Sequence, residues 1–124
     1  MKRSAVLIFS EDPLAAALIG AAVELIGFTP AFATDGEPAR RALLRVRPRL
    51  VLVDCDHEGA CGPELVGPAL MTAARVVLVG SRRSRRDPRA LAESFGLRAV
   101  ILPVGLDDMA ELLRAELEAA GGPG

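Results

Sequence analysis

The sequence predicts a doubly wound α/β fold, a five-stranded parallel sheet with helices on both faces. Short apolar segments alternate along the chain with longer segments of helical character, which is the order expected of βα units joined by right-handed crossovers. The apolar segments are almost continuous, as in strands that are covered on both sides. With 124 residues and 51% hydrophobic content, the chain is large enough to bury one such core.

Five strands and five helices follow from the residue pattern. The strands are predicted at 4–9, 28–33, 49–54, 75–79 and 99–102. The helices are predicted at 14–26, 38–46, 63–73, 88–95 and 107–120. Two helices begin after an Asp-Pro pair, because aspartate accepts hydrogen bonds from free backbone N–H groups and proline already has a helical φ. We expect one domain over 1–120 and a flexible tail at 121–124.

Composition excludes several classes of function. The formal net charge of −1 gives no overall attraction to nucleic acid or anionic membranes. No apolar run reaches the roughly 18 residues that span a bilayer, so we expect a cytoplasmic protein without a membrane role. Cys55 and Cys61 match no common zinc or redox spacing and are interpreted as reduced thiols. Four Phe without Tyr or Trp leave no stacking platform for bases, which argues against nucleic acid.

Acidic residues follow two of the predicted strands. Glu11 and Asp12 come after the first strand, and Asp54 ends the third. Ligand sites of this architecture lie at the carboxyl ends of the strands, so these residues predict an oxygen-rich site suited to Mg²⁺. Asp12 has a second interpretation, which we favour, as the cap of the helix at 14–26 that follows Asp12 and Pro13. For Asp54 we favour a functional role.

Segments 6–13, 47–54 and 102–103 resemble the receiver domains of two-component response regulators, and the resemblance extends over 4–120. It implies a flavodoxin-like fold with strand order 2-1-3-4-5. It also implies that Asp54 accepts a phosphoryl group from a histidine kinase. Mg²⁺ would be held by the acids after the first strand and by Asp54, with the backbone carbonyl of Asp56 as a further ligand.

Several positions depart from the family pattern. The acidic pair after the first strand falls on Ser10 and Glu11, so a hydroxyl replaces one acid unless Asp12 turns inward. The hydroxyl residue after the fourth strand falls on Gly80, with Ser81 one position late. These departures predict weak metal binding.

The basic group of the family pattern is also missing. Its lysine, before a proline that matches Pro103, falls on Leu102, and the only lysine in the sequence is Lys2. An aliphatic side chain forms no ion pair with an acyl phosphate, and the loss of such a contact typically costs a few kcal/mol. The aromatic that reports phosphorylation in this family is absent from 99–102. We therefore expect impaired or absent phosphorylation of Asp54.

Arginines dominate the loop after the fourth strand and the start of the next helix. They are Arg82, Arg83, Arg85, Arg86 and Arg89. A solvated loop and a docking surface for an acidic partner both account for this cluster. The resemblance implies protein partners, a histidine kinase or an output protein, and a homodimer through the last two helices and the fifth strand.

Three functions remain open on the sequence. The first is a non-enzymatic interaction module of receiver type, and the second is a working Mg²⁺-dependent phosphoacceptor. The third is a nucleotide-, flavin- or cobalamin-binding domain, which is disfavoured because 10–13 lacks the glycines that let phosphate approach the backbone. His57, the sole histidine, is interpreted as a solvated surface residue because it has no second ligand at metal spacing.

Overall fold

The computed structural model describes residues 5–34, 36–56 and 74–120. Several predicted features lie outside the described residues. They are the first residue of the opening strand, Lys2, His57, Cys61, the helix at 63–73 and the tail at 121–124.

The chain forms one five-stranded sheet in which every neighbouring pair of strands is parallel. The strands are β1 (Ala5–Phe9), β2 (Thr29–Phe32), β3 (Leu50–Asp54), β4 (Arg75–Ser81) and β5 (Arg98–Leu102). Their order across the sheet is β2-β1-β3-β4-β5, which confirms the predicted order and fold class. The reversal of direction between β1 and β3 is the point at which doubly wound folds place their ligand sites.

Helices cover both faces of the sheet. The described helices are α1 (Pro13–Leu25), α2 (Ala39–Val46), α3 (Pro88–Phe95) and α4 (Leu106–Ala120). Residues of α1 and α4 pack on one face, around Ile8 and Leu52, and residues of α2 and α3 pack on the other, around Leu7 and Val53. Successive strand residues therefore point into two different apolar layers, which explains why the strands are apolar at every position.

No helix among the described residues is long and apolar enough to span a membrane.

The observed boundaries differ from the predicted ones mainly at β4. This strand was predicted to end at Val79, but Gly80 and Ser81 continue it by pairing with Ile101 and Leu102 of β5. The prediction was wrong there because glycine and serine are turn residues by local preference, whereas pairing with a neighbouring strand overrides that preference.

The predicted helix caps are confirmed. Asp12 precedes α1, and its Oδ1 accepts hydrogen bonds from the backbone N–H of Leu14 at 3.0 Å and of Ala15 at 3.5 Å. Asp87 caps α3 in the same way through the N–H of Arg89 at 3.1 Å. One carboxylate oxygen of Asp12 is thus committed to the start of α1.

A buried carboxylate ties α4 to the amino ends of β4 and β5. Glu116 is only 4% exposed and forms ion pairs with Arg75, at 2.8 Å, and with Arg98. Arg49, just before β3, adds a hydrogen bond from its guanidinium group to the carbonyl oxygen of Leu117 at 3.2 Å. These contacts hold the last helix against the edge of the sheet opposite the acidic residues of the candidate site.

A second ion-paired carboxylate joins the loop after β2 to α2. The Glu37 carboxylate accepts hydrogen bonds from Arg45 at 2.8 and 2.9 Å and from the backbone N–H of Thr34 at 3.1 Å. The Arg45 hydrogen bonds are the largest cause that lowers the pKa of Glu37, from its ordinary 4.5 to about 2. Between these two pH values the Glu37 carboxylate therefore stays charged in the folded protein, whereas the same side chain is largely protonated in the unfolded chain.

Replacement of Glu116 by glutamine is expected to lower the free energy of unfolding by about 1–3 kcal/mol, because two guanidinium groups lose a charged acceptor. The loss should lie near the low end, since Arg75 is 44% and Arg98 61% exposed, where solvent screens the charges. Urea denaturation measures the change. Glu118→Gln, at an exposed position of the same helix, is the matched control, and equal losses in both variants would contradict this role.

The Glu37–Arg45 pair predicts a pH-dependent contribution to stability. Because the folded pKa of about 2 lies below the ordinary 4.5, the contribution is complete above 4.5 and is lost as the pH falls toward 2. The difference in free energy of unfolding between the wild type and Glu37→Gln should therefore shrink through that interval. Denaturation curves at a series of pH values test this, and a difference that grows on acidification would show the sign to be wrong.

Candidate functional site

The carboxyl ends of β1, β3, β4 and β5 meet at one edge of the sheet, and a cavity of about 340 Å³ opens there. Phe9 pairs with Val53, so the residues that follow β1 lie beside the end of β3. The predicted site residues that line this cavity are Glu11, Asp12, Asp54, Asp56, Gly80, Ser81 and Leu102, with Arg83 and Arg85 of the arginine cluster. The fold therefore gathers residues from four segments of the chain.

Asp54 is half-buried and held by hydrogen bonds on both oxygens. Its Oδ1 accepts from the backbone N–H of Asp56 at 2.9 Å, and its Oδ2 accepts from the hydroxyl of Ser10 at 3.3 Å. The same hydroxyl oxygen accepts from the backbone N–H of Asp12 at 3.2 Å. Where the family pattern has an acid, Ser10 thus links the loop after β1 to Asp54 without adding a negative charge.

The carboxylates in this cavity do not form a ready-made cation site. Among the residues that the structure describes, no group of three or more His, Cys, Asp or Glu side chains is placed to hold a metal ion. Asp12 caps α1, and Asp56 Oδ1 accepts the backbone N–H of Arg85 at 3.0 Å. These side chains are therefore not gathered around one point for a cation in this arrangement, and Mg²⁺ binding by Glu11, Asp12, Asp54 and the Asp56 carbonyl is untested and stays a prediction.

Leu102 lines the cavity at the position where the family pattern has lysine. It is the last residue of β5, pairs with Ser81 of β4, and is joined to Pro103 by a cis peptide bond. Pro103 itself lines a neighbouring groove rather than this cavity. An aliphatic side chain therefore faces the space above Asp54, and it offers no positive charge to a group attached there.

Gly80 cannot carry a side chain in this packing. A Cβ atom at this position would lie 2.1 Å from Cγ of Pro88 and 3.1 Å from Sγ of Cys55. The first residue of α3 therefore occupies the space that a hydroxyl side chain at position 80 needs. This coupling between Gly80 and Pro88 was not foreseen from the sequence, because it joins a strand residue to a helix start that only the tertiary packing brings together.

Burial governs the chemistry of Cys55, which lies behind the cavity. Its side chain is 1% exposed, and burial is the main cause that raises the pKa of the thiol. Its Sγ donates a weak hydrogen bond to the carbonyl oxygen of Arg86 at 3.8 Å. The described cysteine is thus a thiol outside any disulfide, and burial keeps it protonated, as expected for a passive residue.

The arginine loop, defined as residues 82–86, has an ordered backbone. Asp56 accepts the N–H of Arg85, Ser84 Oγ accepts the N–H of Ser81 at 2.9 Å, and Ser81 Oγ accepts the N–H of Arg83 at 3.1 Å. The side chains of Arg82, Arg83, Arg85, Arg86 and Arg89 are exposed. None of the five forms an ion pair with a carboxylate in the described part of the chain. The fold thus presents several guanidinium groups from a fixed loop.

Comparison with solved structures identifies the fold. The chain superimposes on the receiver domain of a putative Luxo repressor protein from Vibrio parahaemolyticus with a TM-score of 0.75, 17% identity and coverage of 97% of this chain and 94% of that one. A CheY-like receiver domain protein from Methanospirillum hungatei gives a TM-score of 0.73 at 19% identity, with coverage of 99% and 100%.

A third similar structure is part of a longer protein. NtrX from Brucella abortus gives a TM-score of 0.78 at 16% identity, and the match covers 97% of this chain but 28% of the NtrX chain. No family model matches the sequence, and no curated protein matches it significantly. At these identities the likeness shows the fold, which is the flavodoxin-like fold of response-regulator receiver domains.

The contact between Gly80 and Pro88 predicts a specific coupling. Gly80→Ser should lower the free energy of unfolding by roughly 1–3 kcal/mol, because an added side chain overpacks a filled space. Pro88→Ala in the same chain should recover part of that loss, and a double-mutant cycle by urea denaturation measures the interaction. Gly105→Ser is the control, since its Cβ would meet only Asp108 Oδ2 at 3.9 Å. Strict additivity of Gly80→Ser and Pro88→Ala would contradict the coupling.

Proposed function

We propose that this chain is a receiver-type signalling module that acts by binding other proteins, with phosphorylation of Asp54 impaired or absent. The observation that carries the proposal is the cavity around Asp54, which is lined by Leu102 in place of a cationic side chain at that position. The module is not an enzyme in this proposal, and its output is the surface that it presents to partners in the cytoplasm.

The charges around Asp54 support impaired phosphorylation. A phosphoryl group adds about 1.5 to 2 negative charges near neutral pH. Here that charge would enter a cavity already lined by the carboxylates of Glu11, Asp12 and Asp56. Among the residues that the structure describes, the cavity has no ammonium group and no ready-made cation site, so only the guanidinium groups of Arg83 and Arg85 would offset the repulsion from these acids.

A working phosphoacceptor is the second candidate. It is favoured by the half-buried position of Asp54 at the end of β3, where it lines the cavity, and by Arg83 and Arg85, which line the same cavity and carry positive charge. In that case Ser81 or Arg82 would replace contacts that the family makes through its hydroxyl residue and lysine. The two candidates differ in one measurable property, the acceptance of a phosphoryl group by Asp54.

The arginine loop is the proposed docking surface. Its backbone is held by Asp56 and Ser84, so binding of a carboxylate-bearing partner requires ordering of the arginine side chains but little ordering of the backbone. By resemblance to receiver domains, the partner is a histidine kinase or an output protein. The same resemblance implies a homodimer through α3, β5 and α4.

Incubation of the full chain with acetyl phosphate and Mg²⁺ tests the proposal. We expect no mass gain of one phosphoryl group by intact-mass spectrometry. Because the chain has no Trp, addition of beryllofluoride is best followed by amide NMR, and we expect no Mg²⁺-dependent shifts around Asp54. A mass gain or shifts that disappear in Asp54→Asn would instead support the working phosphoacceptor.

The double variant Ser10→Asp and Leu102→Lys tests the physical reason for the impairment. It supplies one acid and one ammonium group to the cavity, and we expect it to gain beryllofluoride-dependent shifts that the wild type lacks. The same double variant with Asp54→Asn is the control. If shifts appear equally with and without Asp54, they arise elsewhere and do not support this account.

A further inference from the structure

An apolar groove of about 390 Å³ lies beside the candidate site, between the start of α1 and the connection after β5. Its apolar walls are Leu14, Leu18, Leu102, Pro103 and Val104. Leu14 is 82% exposed, which is the greatest exposure among the large apolar side chains of the described residues. Leu14 is part of a contiguous apolar surface with the other walls of the groove, and such a surface, unlike a single exposed leucine, indicates a contact with another molecule.

Positive charge lies at one side of this groove. Arg82 and Arg83 line it together with Asp12, whose carboxylate caps α1. Both arginines are exposed, and neither forms an ion pair within the described ranges. A partner that fills the groove therefore gains most if it combines an apolar side chain with carboxylates. Such a partner would bury Leu14 and at the same time form ion pairs with the guanidinium groups of Arg82 and Arg83.

The first turn of α4 has this chemistry. Leu106 is 40% exposed, and Asp107 and Asp108, which follow it, are exposed as well. This turn begins two positions after Val104, a wall residue of the groove. Each molecule thus carries an apolar groove with arginines and, next to it, an apolar residue with carboxylates.

We propose that this face binds a second copy of the chain. Leu106 of one copy enters the groove of the other against Leu14, and the carboxylates of Asp107 and Asp108 meet the guanidinium groups of Arg82 and Arg83. Because the two complementary surfaces adjoin on one molecule, a two-fold axis forms both contacts at once and closes the assembly as a dimer. The inference rests on the proposed function in taking the arginine loop as a docking surface.

The physics of the contact sets its strength. A formal net charge of −1 opposes association only weakly, so the local pairs decide the outcome. The patch is small and its charges are solvated, so the dimer should be weak, with a Kd in about the micromolar range or above. Exposed ion pairs are screened over roughly 10 Å at 0.1 M salt, and the dimer should dissociate as salt is raised.

Sedimentation velocity of the full chain over a range of concentrations and salt tests the proposal. We expect a monomer–dimer equilibrium that shifts to monomer at high salt. Arg82→Glu with Arg83→Glu, and separately Asp107→Lys with Asp108→Lys, should each weaken the dimer roughly tenfold or more, because like charges then face each other. An equimolar mixture of the two double variants should restore a dimer, since every reversed charge again meets its opposite.

The matched control reverses two arginines at another place. Arg40→Glu with Arg41→Glu makes the same change of charge on exposed positions of α2, which packs on the other face of the sheet, and should leave the dimer unchanged. Leu14→Ser should weaken the dimer without changing any charge. Circular dichroism of each variant establishes that it is folded.

Two outcomes would overturn the inference. One is a monomer at every concentration and salt. The other is a dimer that both reversed-charge variants retain, which would assign association to another surface such as α3, β5 and α4. The sedimentation experiment contains no phosphodonor, so its result does not depend on whether Asp54 accepts a phosphoryl group. Phosphorylation of Asp54 in the acetyl phosphate experiment would contradict the impaired-acceptor function but would not contradict the dimer.

Discussion

The parallel pairing of β3 between β1 and β4 is the constraint on which the rest of the structure depends. Val53 pairs with Phe9 on one side and with Leu78 on the other. Because the three strands run in the same direction, their carboxyl ends open at one edge, where Asp54 meets the loops after β1 and β4. Helix layers cover both faces of this central part, so a one-residue shift in register would exchange side chains between the two apolar layers and move Asp54 out of line with the loops after β1 and β4.

Contacts between segments that follow β3 and β4 then determine the shape of the site. Pro88 fills the space beside Gly80, and Asp56 accepts the N–H of Arg85. The loop after β4 is therefore anchored to the loop after β3 at one point and to its own strand at another. The two candidate surfaces, the cavity around Asp54 and the arginine loop, are consequences of the same packing.

Charge is distributed unevenly although the formal sum is only −1. Carboxylates line the cavity around Asp54, arginines occupy the loop beside it, and Asp107 and Asp108 begin the last helix. An overall value near zero excludes non-specific attraction to polyanions but leaves strong local contrasts. Those contrasts suit recognition between proteins, in which complementary patches determine orientation and the choice of partner.

Local chemistry in the sequence determined the strands, the Asp-Pro helix starts, the position of Asp54 at a strand end and the replacement of the family lysine by Leu102. Tertiary structure decided the hydrogen bond from Ser10 to Asp54, the anchoring of Arg85 by Asp56, the contact of Pro88 with Gly80 and the continuation of β4 to Ser81. The physical reason is distance along the chain. Caps and apolar runs act between near neighbours, whereas Ser10 and Asp54 are 44 positions apart and meet only because the strands between them assemble in this order.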